Sequence, residues 1–165
     1  DEVKKALHEN IINGELTPYA DPMLCGSFIG IRAEHTKADF TRAVLEGVSF
    51  SLLDSMVALN ELGIPHDSFA TLIGGGAKGK LWRQITADML GITLKTTESS
   101  DSSLGSAMLA GVSIGVFKDA KDAVKKCVKV KDIVEPNLEN TVKYAELFKV
   151  YKQVHDALAP IYQNR

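Results

Sequence analysis

The sequence predicts an α/β domain, and three features of it carry that prediction. Phe69-Ala-Thr-Leu-Ile73 is a short β-branched and apolar run that breaks at Gly74-Gly75-Gly76 and reopens with helical periodicity from Leu81 to Leu90. That is the pattern of a strand, a tight turn and a helix. Ile92, Leu94 and Thr96 alternate as a second strand, and long apolar stripes at helical spacing follow Thr36 and Asn137.

In chain order, residues 1 to 12 read as a short helix, with Asp1 and Glu2 at the positive end of its dipole and Val3, Leu7 and Ile11 on one stripe. Asn13-Gly14 ends it. The two prolines of Glu15-Leu-Thr-Pro-Tyr-Ala-Asp-Pro22 predict an extended surface loop, because each pushes its predecessor out of the helical region. Gly26-Ser-Phe-Ile-Gly-Ile31 has strand character, with Gly30 marking a close approach of backbone or ligand. Thr36-Lys-Ala-Asp39 is a capping box that opens a long helix. Phe40, Val44, Val48, Leu52 and Met56 form one apolar stripe and Leu45, Leu53 and Val57 a neighbouring one, so this helix is predicted to run through the core until Leu62-Gly63 and Pro65 stop it. Glu46 reads as a hydrogen-bonded carboxylate rather than a catalytic one, since no second acid or histidine stands beside it at helical spacing.

The turn after residue 73 is the candidate site. Without Cβ atoms, residues 74 to 76 can adopt left-handed backbone angles and present bare main chain, while the next helix aims its first N–H groups at a phosphate or nucleoside. Three nucleotide readings compete here. Gly74, Gly76 and Gly79 satisfy a dinucleotide fingerprint, with Glu98 placed for a ribose hydroxyl. Gly74 to Lys80 resembles a P-loop, but Leu81 stands where a hydroxyl must meet Mg²⁺, and that reading fails. The third is the adenosine turn of sugar kinases with an actin-like ATPase fold; a tight structural connection that binds nothing stands beside them, and the glycines alone do not choose.

Beyond the turn, Leu81, Ile85 and Met89 form the buried stripe of a helix that Gly91 stops, and Asp88 is assigned a structural role. Ser99-Ser-Asp-Ser-Ser103 reads as a helix cap, and the Gly- and Ala-rich helix from Leu104 to Val116 suits close approach to a strand or to the nucleotide turn. Asp119 opens a short helix carrying Ala123, Val124 and Cys127, and Val128 to Val134 is a mixed segment. Asn137 caps a long last helix whose Tyr144, Phe148, Tyr151, Leu158 and Tyr162 pack on their own domain.

Composition narrows the function classes. A chain of 165 residues with 45% hydrophobic and 24% charged residues supports one domain with a real core. With 19 Lys and Arg against 21 Asp and Glu, no basic field is available for nucleic acid. Cys25 and Cys127 form no CxxC, and His8, His35, His66 and His155 are scattered, so no metal site is expected. No apolar run is read as a membrane span and no export signal is recognised, which makes cytoplasmic the expected location.

Gly26-Ser-Phe-Ile-Gly30-Ile31, then Asp39-Phe40 and Ala43-Val44-Leu45-Glu46, resemble the C-terminal signature of the FGGY carbohydrate kinases. Gly74-Gly-Gly-Ala-Lys-Gly-Lys-Leu-Trp-Arg-Gln-Ile-Thr-Ala-Asp88 is similar to that family's adenosine turn, and Thr17-Pro-Tyr-Ala-Asp21 resembles a segment of its xylulose kinase branch. The resemblance covers about residues 14 to 164 and turns the three-way choice toward the kinase. Gly14-Glu15-Leu16 departs from the family's Gly-Glu-Arg, and Gly79 stands where many relatives carry Asn or Ser.

The resemblance implies a ribonuclease H-like domain of the actin and hexokinase type, a mixed sheet flanked by helices, forming residues 1–165 as the C-terminal half of a bilobed enzyme. It implies ATP and Mg²⁺ as cofactors, with Gly74, Gly75, Gly76, Ala77 and Gly79 lining the adenosine end of ATP. The catalytic aspartate and most sugar contacts belong to an N-terminal half that this chain lacks, so no catalytic residue and no metal ligand is carried over. That N-terminal domain, the sugar it holds and a second copy of the chain are the implied partners. Xylulose is the implied sugar, with gluconate, ribulose and glycerol as alternatives. A dinucleotide-binding oxidoreductase domain and a non-catalytic actin-like interaction domain are the other classes to separate.

Overall fold

A computed structural model describes residues 14–15, 17–99 and 102–164; the expected helix over residues 1 to 12 lies outside them. The elements are α1 (Lys37–Glu61), β1 (Phe69–Thr71), a 3₁₀ turn (Gly75–Lys78), α2 (Lys80–Leu90), β2 (Thr93–Thr97), α3 (Ser102–Ser113), α4 (Ala120–Cys127), β3 (Val130–Val134) and α5 (Leu138–Gln163). The strands form a mixed sheet in the order β1-β2-β3. β1 and β2 run parallel, Phe69 opposite Thr93 and Thr71 opposite Lys95, and β3 is antiparallel to β2, Leu94 opposite Val134. An antiparallel third strand is not what a doubly wound dinucleotide fold places there.

Parallel strands need a crossover, and α2 supplies it. It lies between the sheet and the helix pair α1 and α5, with Arg83, Ile85, Thr86, Ala87, Asp88 and Met89 all buried. Ile85 and Met89 join Phe50 and Leu53 of α1 and Tyr144 of α5 in one apolar cluster, with Phe148 and Tyr151 packed against it. Tyr151 stacks on Phe50 at 5.3 Å, and burial pushes its hydroxyl well above the usual range. The aromatic stripe of α5 is a packing face.

Capping chemistry fixes the helix ends. Asp39 Oδ2 accepts from both the backbone N–H and the hydroxyl of Thr36 at 2.7 Å, and Gly63 (φ 71) ends α1 with its N–H on Asn60 O. Asn137 accepts from the N–H of Glu139 at 3.0 Å to start α5. Glu46 accepts from Arg42 Nε and from the Tyr144 hydroxyl, both at 2.8 Å, which makes it the hydrogen-bonded carboxylate expected.

Five expectations are corrected. α1 lies on the core rather than through it: Leu53 is buried, but Leu52 is 42% exposed, because α2 and α5 cover only one side. By length and by a mean hydropathy of 1.3 over its most apolar window, α1 is also long and apolar enough to cross a membrane, yet Phe50 and Leu53 spend that apolarity on the core. Gly26 to Ile31 forms no strand, since among the described residues no strand lies beside it, and Phe28, Ile29 and Ile31 stay exposed. α3 ends at Ser113 and packs on α4, with Gly111 under the Phe117 ring, instead of meeting the sheet or the glycine turn. Leu81, at the first turn of α2, is exposed. The mixed segment proves to be β3; its charged, exposed side chains hide a strand that pairing with β2 creates.

Asp88 is the joint between α2 and α5. Its carboxylate, 3% exposed, accepts from Gln84 Nε2 at 2.7 Å and from Asn137 N and Asn140 Nδ2 at 2.8 Å. Removing it strands two donors at the start of α5. Asp88→Ala is expected to cost about 3 kcal/mol in urea denaturation, from buried bonds to a charged group at roughly 1.5–3 kcal/mol each.

The loop of residues 17 to 22 docks across α1 and α5. The Tyr19 hydroxyl donates to Asp54 Oδ2 at 2.6 Å, Lys152 Nζ donates to both Asp54 oxygens and to Tyr19, and the Tyr19 ring stacks on His155 at 3.7 Å. Glu15, beside this cluster, has Oε2 buried without a partner while Ser51 Oγ donates to Oε1. Burial raises its pKa from the ordinary 4.5, against the lowering effects of Ser51, His155 and Lys152. A raised carboxyl favours folding below its ordinary pKa, and that contribution is lost as pH rises through the folded value. Glu15→Gln is therefore expected to be more stable than the parent at pH 7, with the difference vanishing toward pH 4 when midpoints are compared.

Candidate functional site

The glycine corner is built by the end of one strand and the start of one helix. Pairing continues one residue past β1, where Leu72 N–H donates to Lys95 O at 2.8 Å, and then stops. Gly74 turns the chain at φ 84 and ψ −168, angles open to glycine and essentially to no other residue. The 3₁₀ turn follows, with Ala77 N–H on Gly74 O and Gly79 N–H on Gly76 O, both at 3.2 Å. Arg83 N–H then takes Gly79 O at 3.0 Å as α2 begins.

The five residues marked in the sequence thus form one contiguous corner. Gly74, Gly75 and Gly79 are exposed, and Gly76 and Ala77 are half-buried. A Cβ built on Gly74 or Gly75 meets nothing within 4 Å, so their main chain is bare. The same Cβ on Gly76 would lie 2.5 Å from Cζ3 of Trp82, whose ring closes the inner side of the turn. The Trp82 Nε1–H donates to Ser49 Oγ on α1 at 3.0 Å. Ser49 Oγ donates in turn to Leu45 O at 2.9 Å and meets Thr86 Oγ1 at 3.0 Å. Sequence reasoning missed Trp82 and Ser49. Their signals were slight: a single indole three residues after Gly79, and a hydroxyl on the inner face of an apolar helix.

Around the corner, Arg83 Nη1 donates to Asp132 Oδ2 at 2.7 Å, which ties α2 to β3 and holds the Asp132 carboxyl below the usual carboxylate range. Lys95 Nζ lies 3.5 Å above the Phe69 ring. Glu98, the residue a dinucleotide reading would set on a ribose, is exposed and gives its N–H to Lys129 O. Among the described residues no three His, Cys, Asp or Glu side chains are grouped to hold a metal ion.

A mixed sheet crossed by a helix, with further helices packed on it, is the α/β architecture expected of the actin- and hexokinase-like fold. The sequence profile of the FGGY family of carbohydrate kinases, C-terminal domain, matches residues 4–114. The xylulose kinase of Staphylococcus epidermidis is 41% identical over 143 residues, 86% of this chain and 29% of that protein. That of Bacillus subtilis is 33% identical over 150 residues, 90% and 30%. The crystal structure of ligand-bound xylulose kinase from Lactobacillus acidophilus matches with a TM-score of 0.83 at 28% identity, over 92% of this chain and 31% of that one. Gluconate kinase from the same organism matches with 0.82 at 28%, over 92% and 31%. The chain belongs to the FGGY family of carbohydrate kinases, of which it carries the C-terminal domain, and it spans about 30% of the length of the curated relatives it matches.

Backbone angle and side-chain room make different demands along the corner, and substitution separates them. Gly74→Ala is expected to cost about 1–3 kcal/mol through its positive φ alone. Gly75→Ala, with open space and no positive φ, should stay within about 0.5 kcal/mol of the parent. Chemical denaturation of the two variants side by side checks this.

Proposed function

We propose that residues 1–165 form the nucleotide-side domain of an ATP-dependent sugar kinase, with xylulose as the sugar, and that Gly74, Gly75, Gly76, Ala77 and Gly79 line the adenosine end of ATP. The observation that carries the proposal is the bare main chain at Gly74 and Gly75, open to solvent at the entrance to α2. A purine nucleoside can lie flat against such a corner, where any side chain would hold it off. ATP supplies the γ-phosphoryl group that a sugar hydroxyl accepts. This chain's residues contribute binding and orientation: the turn fixes the nucleoside on a rigid element, which aligns donor and acceptor when two lobes close. The aspartate that takes the hydroxyl proton, the Mg²⁺ site and most sugar contacts fall to an N-terminal domain.

The surface supports such a partner. Phe28, Ile29 and Ile31 beside α1 are among the large apolar side chains left uncovered. Xylulose is preferred over gluconate on the identities of the sequence relatives, since the two structural matches are nearly equal.

Titration with ATP and with NADH, followed through the chain's one tryptophan, tests the nucleotide. Weak saturation by ATP and none by NADH is expected; preference for NADH would overturn the reading. Incubated with ATP and xylulose, this chain alone is expected to release no ADP. Sugar-dependent release would place catalytic groups within it and end the proposed division of labour.

A further inference from the structure

We propose that Trp82 and Ser49 are positioning residues for the glycine corner, the indole acting as a strut between the turn and α1 that sets the corner's affinity for adenine nucleotide. The affinity part rests on the adenosine reading above; the bracing part stands on geometry alone. A run of glycines is the backbone least able to hold its own shape. Here the sheet's last bond, from Leu72, is two residues upstream of Gly74, and the turn's own bonds at Ala77 and Gly79 are long, 3.2 Å each. On the outer arm, a Cβ added to Gly74 or Gly75 would meet nothing within 4 Å, so no side chain packs there. What touches the corner is the indole, whose ring lies where a Cβ on Gly76 would be 2.5 to 3.1 Å from three of its carbons.

The strut is held at its far end. Ser49 is 0% exposed, and its hydroxyl uses its full capacity: it donates to Leu45 O and accepts from Trp82 Nε1 and from Thr86 Oγ1. Swinging the indole away would leave its own N–H and one lone pair of the buried Ser49 hydroxyl without a partner, an outcome that buried polar groups resist. The corner is therefore braced from α1, and Gly76 has to remain glycine because the indole is not free to yield.

The test uses this chain with Ser49→Ala, Trp82→Phe and the pair combined. The reporters are the hydrogen-bonded amides of Ala77 and Gly79, followed by hydrogen exchange with NMR detection, together with calorimetric titration by ATP. Each single substitution is expected to speed exchange at these amides about fivefold and to raise the ATP dissociation constant by a similar factor, the scale of one hydrogen bond. The double variant should go no further, since both substitutions cut the same link. Exchange in β2 should not change. Unaltered exchange at Ala77 and Gly79, additive effects in the double variant, or acceleration spread equally over β2 would each overturn the strut. Trp82→Phe keeps a ring in place and decides the matter should Ser49→Ala fail to fold. A parent chain that takes up no ATP while the exchange pattern holds would remove the adenosine reading and leave the bracing established.

Discussion

A helix that joins two parallel strands has to lie across the sheet they form, and in this chain that helix is also the inner wall of a helix pair. α2 cannot move without disturbing both. Arg83 reaches from it to Asp132 on β3, Asp88 reaches from it to the first turn of α5, and Ile85 and Met89 fill the space against Phe50, Leu53 and Tyr144. The glycine corner inherits its position from this arrangement, because it is the segment immediately before α2. A corner of bare main chain is useful only where the next element is immobile, and the burial of Arg83 and of Ile85 through Met89 on α2 supplies that immobility.

The molecule is asymmetric in how well it is covered. On the side of α2, α1 is packed with aromatic and aliphatic side chains and its polar groups find partners: Ser49 with Trp82 and Thr86, Asp54 with Tyr19 and Lys152. On the other side Leu52 and Leu59 face water, and the extended segment with Phe28, Ile29 and Ile31 has no strand beside it among the described residues. Surfaces of this kind mark interfaces. The FGGY relatives are about three times as long as this chain.

Much of the fold was legible in the residues. Thr36 and Asp39 announced α1, Asn137 announced α5, and the break after Ile73 with the alternation from Ile92 to Thr96 marked the βαβ unit, because caps, glycines and periodicity are local signals. β3 was not legible. Val128-Lys-Val-Lys131 alternates for only four residues before Asp132 breaks the pattern, and an edge strand is made by the neighbour it bonds to rather than by its own pattern. The reverse error at Gly26 to Ile31 has the same root: strand-like residues form no strand without a partner. Of the candidate site, the glycines at 74, 75, 76 and 79 were visible from composition and spacing and Ala77 came with the family resemblance, whereas the indole beneath them was not singled out.

Sequence alone determined where this chain turns, where its helices start and stop, and that bare glycines precede a helix, since each of these follows from interactions within a few residues. Only the tertiary structure decided that Trp82 fills the space under Gly76, that Ser49 of α1 holds it there, and that β3 closes the sheet in the antiparallel sense. Those contacts join residues far apart in the chain, and their geometry is set by how α1, α2 and the sheet pack rather than by any local preference.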